Sequence, residues 1–130
     1  MTKNKLYKFL ISGLFVFFTT NANAQLLSVA QLDTTPTYTL EEAQKLDPLK
    51  VYKLSLKKMK LYELPSEILA FKNLQYLDIQ KNKLNTFPKN INTFKYLQEL
   101  IITANKIEIV TKELGDLIYL RHFVAASNLI

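Results

Sequence analysis

A period of 23 residues constrains this chain more than any other feature. "NLQYLDIQKNKLNTFP" at residues 73–88 is followed 23 residues later by "YLQELIITANKIEIVT" at 96–111, with apolar residues and an asparagine in the same slots. Aligned at this spacing, units begin at Val51, Leu74, Leu97 and Leu120, each opening apolar-x-x-apolar-x-apolar. Leu54, Leu77, Leu100 and Phe123 fill the second slot, and Leu56, Ile79, Ile102 and Ala125 the third. Later slots hold Leu61, Leu84, Ile107 and Ile130, then Leu64, Phe87 and Val110, then Ile68, Ile91 and Leu114, then Phe71, Phe94 and Leu117. Each such side chain contributes roughly 1.5–3 kcal/mol when buried, and a single unit has no second layer to bury them against. The units must therefore stack into one continuous core, and a chain of 130 residues allows only one such domain.

Alternation in "LSL", "LDI" and "LII" predicts a short strand at the head of each unit. The pairs Ile68/Phe71, Ile91/Phe94 and Leu114/Leu117 are spaced i, i+3, as on a helical turn, with Pro65 and Pro88 suited to its first position. Asn82, Asn105 and Asn128 follow the strand, where a sharp bend leaves backbone groups without ladder partners. A buried amide offers both a donor and an acceptor, so stacked asparagines can satisfy groups that would otherwise cost about 1–3 kcal/mol each. These asparagines are accordingly read as structural.

The resulting pattern, LxxLxLxxNxLxxLPxxIxxLxx, resembles the 23-residue leucine-rich repeat of bacterial exported proteins. The unit "LQYLDIQKNKLNTFPKNINTFKY" fits throughout except for phenylalanine at two leucine slots. The first unit departs with Met59 in the asparagine slot, and the third with Val110-Thr111 for Leu-Pro; both departures imply local changes of turn. The resemblance implies an α/β solenoid with a curved parallel sheet on its concave face and short helical or 3-10 returns on its convex face. Three full units would start at 51, 74 and 97 and a truncated fourth at 120. Curvature follows because the strand and return sides need different spacing per unit.

The family binds ligands, usually proteins, across the concave face. By that implication the first unit presents Lys53, Ser55, Lys57 and Lys58, and the second Tyr76, Asp78, Gln80 and Lys81. The third presents Glu99, Ile101, Thr103 and Ala104, and the fourth His122, Val124, Ala126 and Ser127. Ile101 and Val124 beside Tyr76 make a candidate hot-spot centre with a charged rim, although β-branched residues also favour strands whatever they touch. Lys53, Lys57, Lys58 and Lys81 would attract an acidic protein or glycan, or else only solubilise the sheet and block edge pairing. Nucleic acid is not expected, because only Tyr76 offers a base a stacking surface on that face.

An enzyme is not expected either: His122 is the one histidine, and there is no cysteine and no glycine-rich phosphate loop. Asp78 and Glu99 stand one unit apart without further carboxylates, so no metal and no cofactor is expected.

Ahead of the repeats, residues 1–24 read as an export signal: Lys3, Lys5 and Lys8, an apolar run from Phe9 to Phe18, then Ala22-Asn23-Ala24 as a cleavage site before Gln25. The ten-residue apolar run is far shorter than the roughly 20 residues of a spanning helix, so no stable membrane insertion is expected after cleavage. The expected location is secreted, periplasmic or cell-surface. Cleavage removes three of the 17 basic residues and none of the 11 acidic ones, lowering the net charge from +6 to +3 and weakening a nucleic-acid or anionic-membrane reading. The absence of cysteine excludes disulfides and a lipid-attachment cysteine.

Residues 25–38, with Thr34-Thr35-Pro36, are expected to be an extended or disordered lead-in. Residues 39–50 are expected to form an N-terminal capping helix and turn. Thr39 and Glu42 fit a capping box, Leu40, Ala43 and Leu46 share a face, and Asp47-Pro48 ends the helix. At the other end the fourth unit stops at "NLI" without its return. Three readings account for that: a truncated piece of a longer repeat protein with no independent binding activity, self-association through the uncapped end, or an end left partly ordered. An exposed edge carrying Phe123, Val124 and Leu129 favours pairing.

Overall fold

The computed structural model describes residues 26–130 and, before them, the backbone of two short antiparallel strands, β1 (Leu10–Ile11) and β2 (Leu14–Phe15). Apart from those four residues, the expected export signal and its cleavage site after Ala24 lie outside the described residues. Among the described residues, no helix is long and apolar enough to cross a membrane.

The chain forms a parallel sheet of five strands in sequential order, β3 (Tyr38–Thr39) and then the four strands of the 23-residue period, β4 (Lys53–Ser55), β5 (Tyr76–Asp78), β6 (Glu99–Ile101) and β7 (His122–Val124). Register follows the repeat, with Leu54 beside Leu77, Leu77 beside Leu100 and Leu100 beside Phe123. Leu54, Leu77 and Leu100 are fully buried in one core with Leu56, Ile79, Ile102, Leu74 and Leu97, and Phe123 packs against it. The returns are 3-10 turns at Ser66–Ala70, Lys89–Thr93 and Lys112–Asp116, and they send Ile68, Phe71, Ile91 and Phe94 into the same core. Pro65 and Pro88 sit one place before these turns rather than at their first position, and Thr111 takes the same place in the third.

Where each strand ends, the chain turns through a residue in the left-handed region. Lys58, Lys81, Ala104 and Ser127 recur at this slot with φ of 61°, 56°, 55° and 56°. That geometry swings the following asparagine back under the turn. The Asn105 amide nitrogen donates to the carbonyls of Ile79 (3.0 Å) and Ile102 (2.9 Å), while its oxygen accepts from the Leu84 N–H at 3.1 Å. Asn82 makes the same three bonds to Leu56, Ile79 and Leu61, and Asn128 to Ile102, Ala125 and Ile107. Each asparagine thus joins its own turn to the preceding unit. Met59 cannot do this; it stands 42% exposed, and its neighbour Lys60 is a second left-handed residue with φ 59°.

The lead-in differs from the expectation. Residues 25–38 are not extended or disordered throughout, because Ser28 caps a six-residue helix, α1 (Val29–Thr34), and reciprocates with Gln31 in a capping box. Leu32 of that helix is buried. Tyr38–Thr39 then joins the sheet as β3 beside β4, so a strand rather than a helix forms its first edge. The expected helix follows as a single turn, α2 (Leu40–Ala43), with the Thr39–Glu42 capping box formed. Hydrogen bonds from the backbone and then the side chain of Thr39 hold the Glu42 carboxyl below its ordinary range. Ala43 is buried and Leu40 half-buried, but Leu46 is exposed, because the helix ends before it and a 3-10 turn at Pro48–Lys50 follows.

Replacing Asn105 with alanine orphans one N–H and two carbonyl bonds in the middle of the stack and is expected to lower stability by about 2–4 kcal/mol. Asn128→Ala, in the half-exposed last turn, should cost only about 1 kcal/mol. Urea unfolding midpoints measure both; equal small losses would contradict a structural role for the inner asparagine.

Candidate functional site

One face of the sheet packs on the core, and the alternate side chains stand on the other. Strand register arranges them in rows across the units. One row is Lys53, Tyr76, Glu99 and His122; the next is Ser55, Asp78, Ile101 and Val124. Lys57, Gln80, Thr103 and Ala126 follow beyond the strand ends.

The first row is electrostatically coupled along its length. The Lys53 ammonium lies 5.0 Å from the centre of the Tyr76 ring, a cation–π distance. Glu99 and His122 approach to 3.5 Å between Oε1 and Nδ1, the Glu99 side chain being 25% exposed and the His122 side chain 68%. The Tyr76 phenol is held above its ordinary value of 10.0, first by burial and then by the negative charges of Asp78 and Glu99.

In the second row Ile101 and Val124 are direct neighbours, Ile101 half-buried and Val124 43% exposed. Tyr76 does not stand beside them; its neighbour is Glu99, which places the ring diagonally across from Ile101. Asp78 departs from the expected presentation. It is only 6% exposed, and its carboxylate accepts from the Gln80 backbone N–H (3.0 Å) and side-chain amide (2.8 Å). Asp78 and Gln80 therefore close a local turn at the strand end, and the surface they offer is mostly the Gln80 side chain. Among the described residues, no three His, Cys, Asp or Glu side chains gather as a metal site would require.

A second polar line escaped the sequence reading. Gln75, Gln98 and Arg121 share the slot just before each strand, and their side chains bond in series: Gln98 Nε2 donates to Gln75 Oε1 (2.9 Å) and Arg121 Nη1 to Gln98 Oε1 (3.2 Å). The lead-in is held on this line. The Leu27 N–H donates to Gln75 Oε1 at 2.9 Å, and the Leu27 carbonyl accepts from Gln98 Nε2 at 2.8 Å. The signal was present in the sequence as polar residues recurring every 23 positions, beside the apolar slots that drew attention first.

Because burial is the leading cause of the Tyr76 shift, its phenol should ionise above pH 10 by ultraviolet titration, and Asp78→Asn should lower that value only in part. A folded pKa above the unfolded one stabilises the fold below pH 10 and loses that contribution as pH rises through the folded value. Titration at or below 10 in the folded chain would contradict the site's electrostatics.

No protein-family model and no curated protein matches the chain. Among solved structures it is similar to a leucine-rich repeat protein of Leptospira interrogans, with 40% identity and a TM-score of 0.57 over 61% of this chain and 20% of that one. It is also similar to a chain of the BIR3–SERK2 complex from Arabidopsis thaliana, with 26% identity and a TM-score of 0.54 over 60% of this chain and 44% of that one. The chain therefore spans a fifth of the first protein's length and less than half of the second's. With the 23-residue register, the sequential parallel sheet and the stacked asparagines, these likenesses show that the chain has the leucine-rich repeat fold.

Proposed function

We propose that this is an exported binding module that recognises a partner protein through the open face of its sheet and does no chemistry itself. The observation that carries the reading is the Ile101–Val124 pair, two aliphatic side chains adjacent on the uncovered face and bordered by the polar row of Tyr76, Glu99 and His122. An apolar centre within a polar rim is the usual anatomy of a protein hot spot. Support also comes from the Arabidopsis structure similar to this chain, which is a complex of BIR3 with SERK2. Export is proposed from the leader-like residues 1–24.

The test uses protein recovered from the extracytoplasmic fraction, whose intact mass should be that of residues 25–130 or of a longer chain beginning at Gln25. Immobilised wild type, Tyr76→Ala and Ile101→Asp are compared for capture of surface and secreted proteins. Ile101→Asp should weaken capture of the partner about thirtyfold or more, with a smaller loss for Tyr76→Ala. A partner indifferent to both substitutions, no partner at all, or a mass that retains the leader would count against the corresponding part of the proposal.

A further inference from the structure

Beyond the open face, the edge where the strands end carries a second, separate surface. Lys60, Lys83 and Lys106 occupy the same slot of three successive units, the position after the asparagine slot, and Lys58 and Lys81 the position before it; Lys57 extends the group in the first unit. All six are exposed. Their backbones are stitched from unit to unit. The Lys58 N–H donates to the Gln80 carbonyl (3.1 Å), Lys81 to Thr103 (2.9 Å), Lys83 to Leu61 (2.7 Å) and Lys106 to Leu84 (2.8 Å). The lysines therefore recur along the edge at the strand spacing of about 4.8 Å.

None of the six lies within ion-pair distance of a carboxylate among the described residues. The ion pairs among the described residues are Lys45–Glu41 and His122–Glu99, and neither involves this edge. The one side-chain contact made by the row is of Lys83 with Tyr62, at 3.3 Å from the hydroxyl and 5.3 Å from the ring centre. Lys58 and Lys81 stand at the left-handed slot that Ala104 and Ser127 fill in the later units, and Lys60 is left-handed as well. The lysines thus form a line without ion-pair partners among the described residues, an arrangement that concentrates positive potential at one edge.

We propose that this edge binds a linear acidic polysaccharide, whose carboxylate-bearing sugars recur at a spacing comparable to that of the strands. A line of cations fits a chain better than a planar bilayer. Single-stranded nucleic acid is bound on rows of aromatic faces, and the slot that holds Tyr62 holds Asn85 and Glu108 in the next units. The proposal does not depend on the protein partner of the open face.

The test is binding of polygalacturonate, with neutral dextran as the uncharged control, by isothermal titration at low salt. Lys60→Gln/Lys83→Gln/Lys106→Gln is compared with Lys72→Gln/Lys89→Gln/Lys95→Gln, which makes the same charge change at exposed positions on the return side. Unfolding midpoints establish that both variants fold. The edge variant should bind about tenfold more weakly and with a shallower salt dependence, the return-side variant within about twofold of wild type. Ile101→Asp should bind polygalacturonate as wild type does, which separates this surface from the open face. No binding by wild type, equal weakening in both triple variants, or tighter binding of oligothymidylate or of phosphatidylglycerol vesicles at matched charge would overturn the proposal.

Discussion

Everything in this solenoid depends on how a chain that must turn after every three-residue strand satisfies its backbone at the bend. The answer is a side-chain amide. Asn82, Asn105 and Asn128 each accept from one N–H and donate to two carbonyls, one in their own unit and one in the unit before. Burying such groups unpaired would cost about 1–3 kcal/mol apiece, enough over several turns to cancel much of what apolar stacking contributes. The left-handed residue before each asparagine is part of the same device, because it aims the amide inward.

Once the bends are fixed, the surfaces are fixed too. Register places Ile101 beside Val124 and Lys53 beside Tyr76 without any loop having to find its conformation. The same register sets Lys60, Lys83 and Lys106 in line at the strand ends. A repeat protein obtains several chemically distinct faces in this way: one apolar and charge-rimmed on the sheet, one basic at its edge, and one at the strand starts, where Gln75 and Gln98 hold the lead-in. Rigid presentation lowers the conformational entropy lost on binding.

Much of the fold was legible in the sequence because its determinants recur. The apolar slots, the asparagines and the direction of the strands all follow from one period, and the structural role of Asn105 follows from its slot. Most of what was not legible occurs once, the exception being the Gln75–Gln98–Arg121 line, which recurs beside the more conspicuous apolar slots. The Ser28–Gln31 capping box lies in a stretch dominated by threonine and proline, and Tyr38–Thr39 is too short to show alternation, so α1 and β3 depend on contacts with later units. On the open face, periodicity located the rows but not their internal bonding. Asp78 is outward by alternation, yet the amide of Gln80 two residues later covers its carboxylate.

Hydrogen exchange at the amides of Leu61, Leu84 and Ile107 addresses the central claim, since each donates to an asparagine side chain of the next unit. The Leu84 amide, bonded to buried Asn105, should exchange only through unfolding of the stack, and the Ile107 amide, bonded to half-exposed Asn128, should exchange faster. If Leu84 exchanged as quickly as the exposed amides of the returns, the asparagines would not be holding the units together.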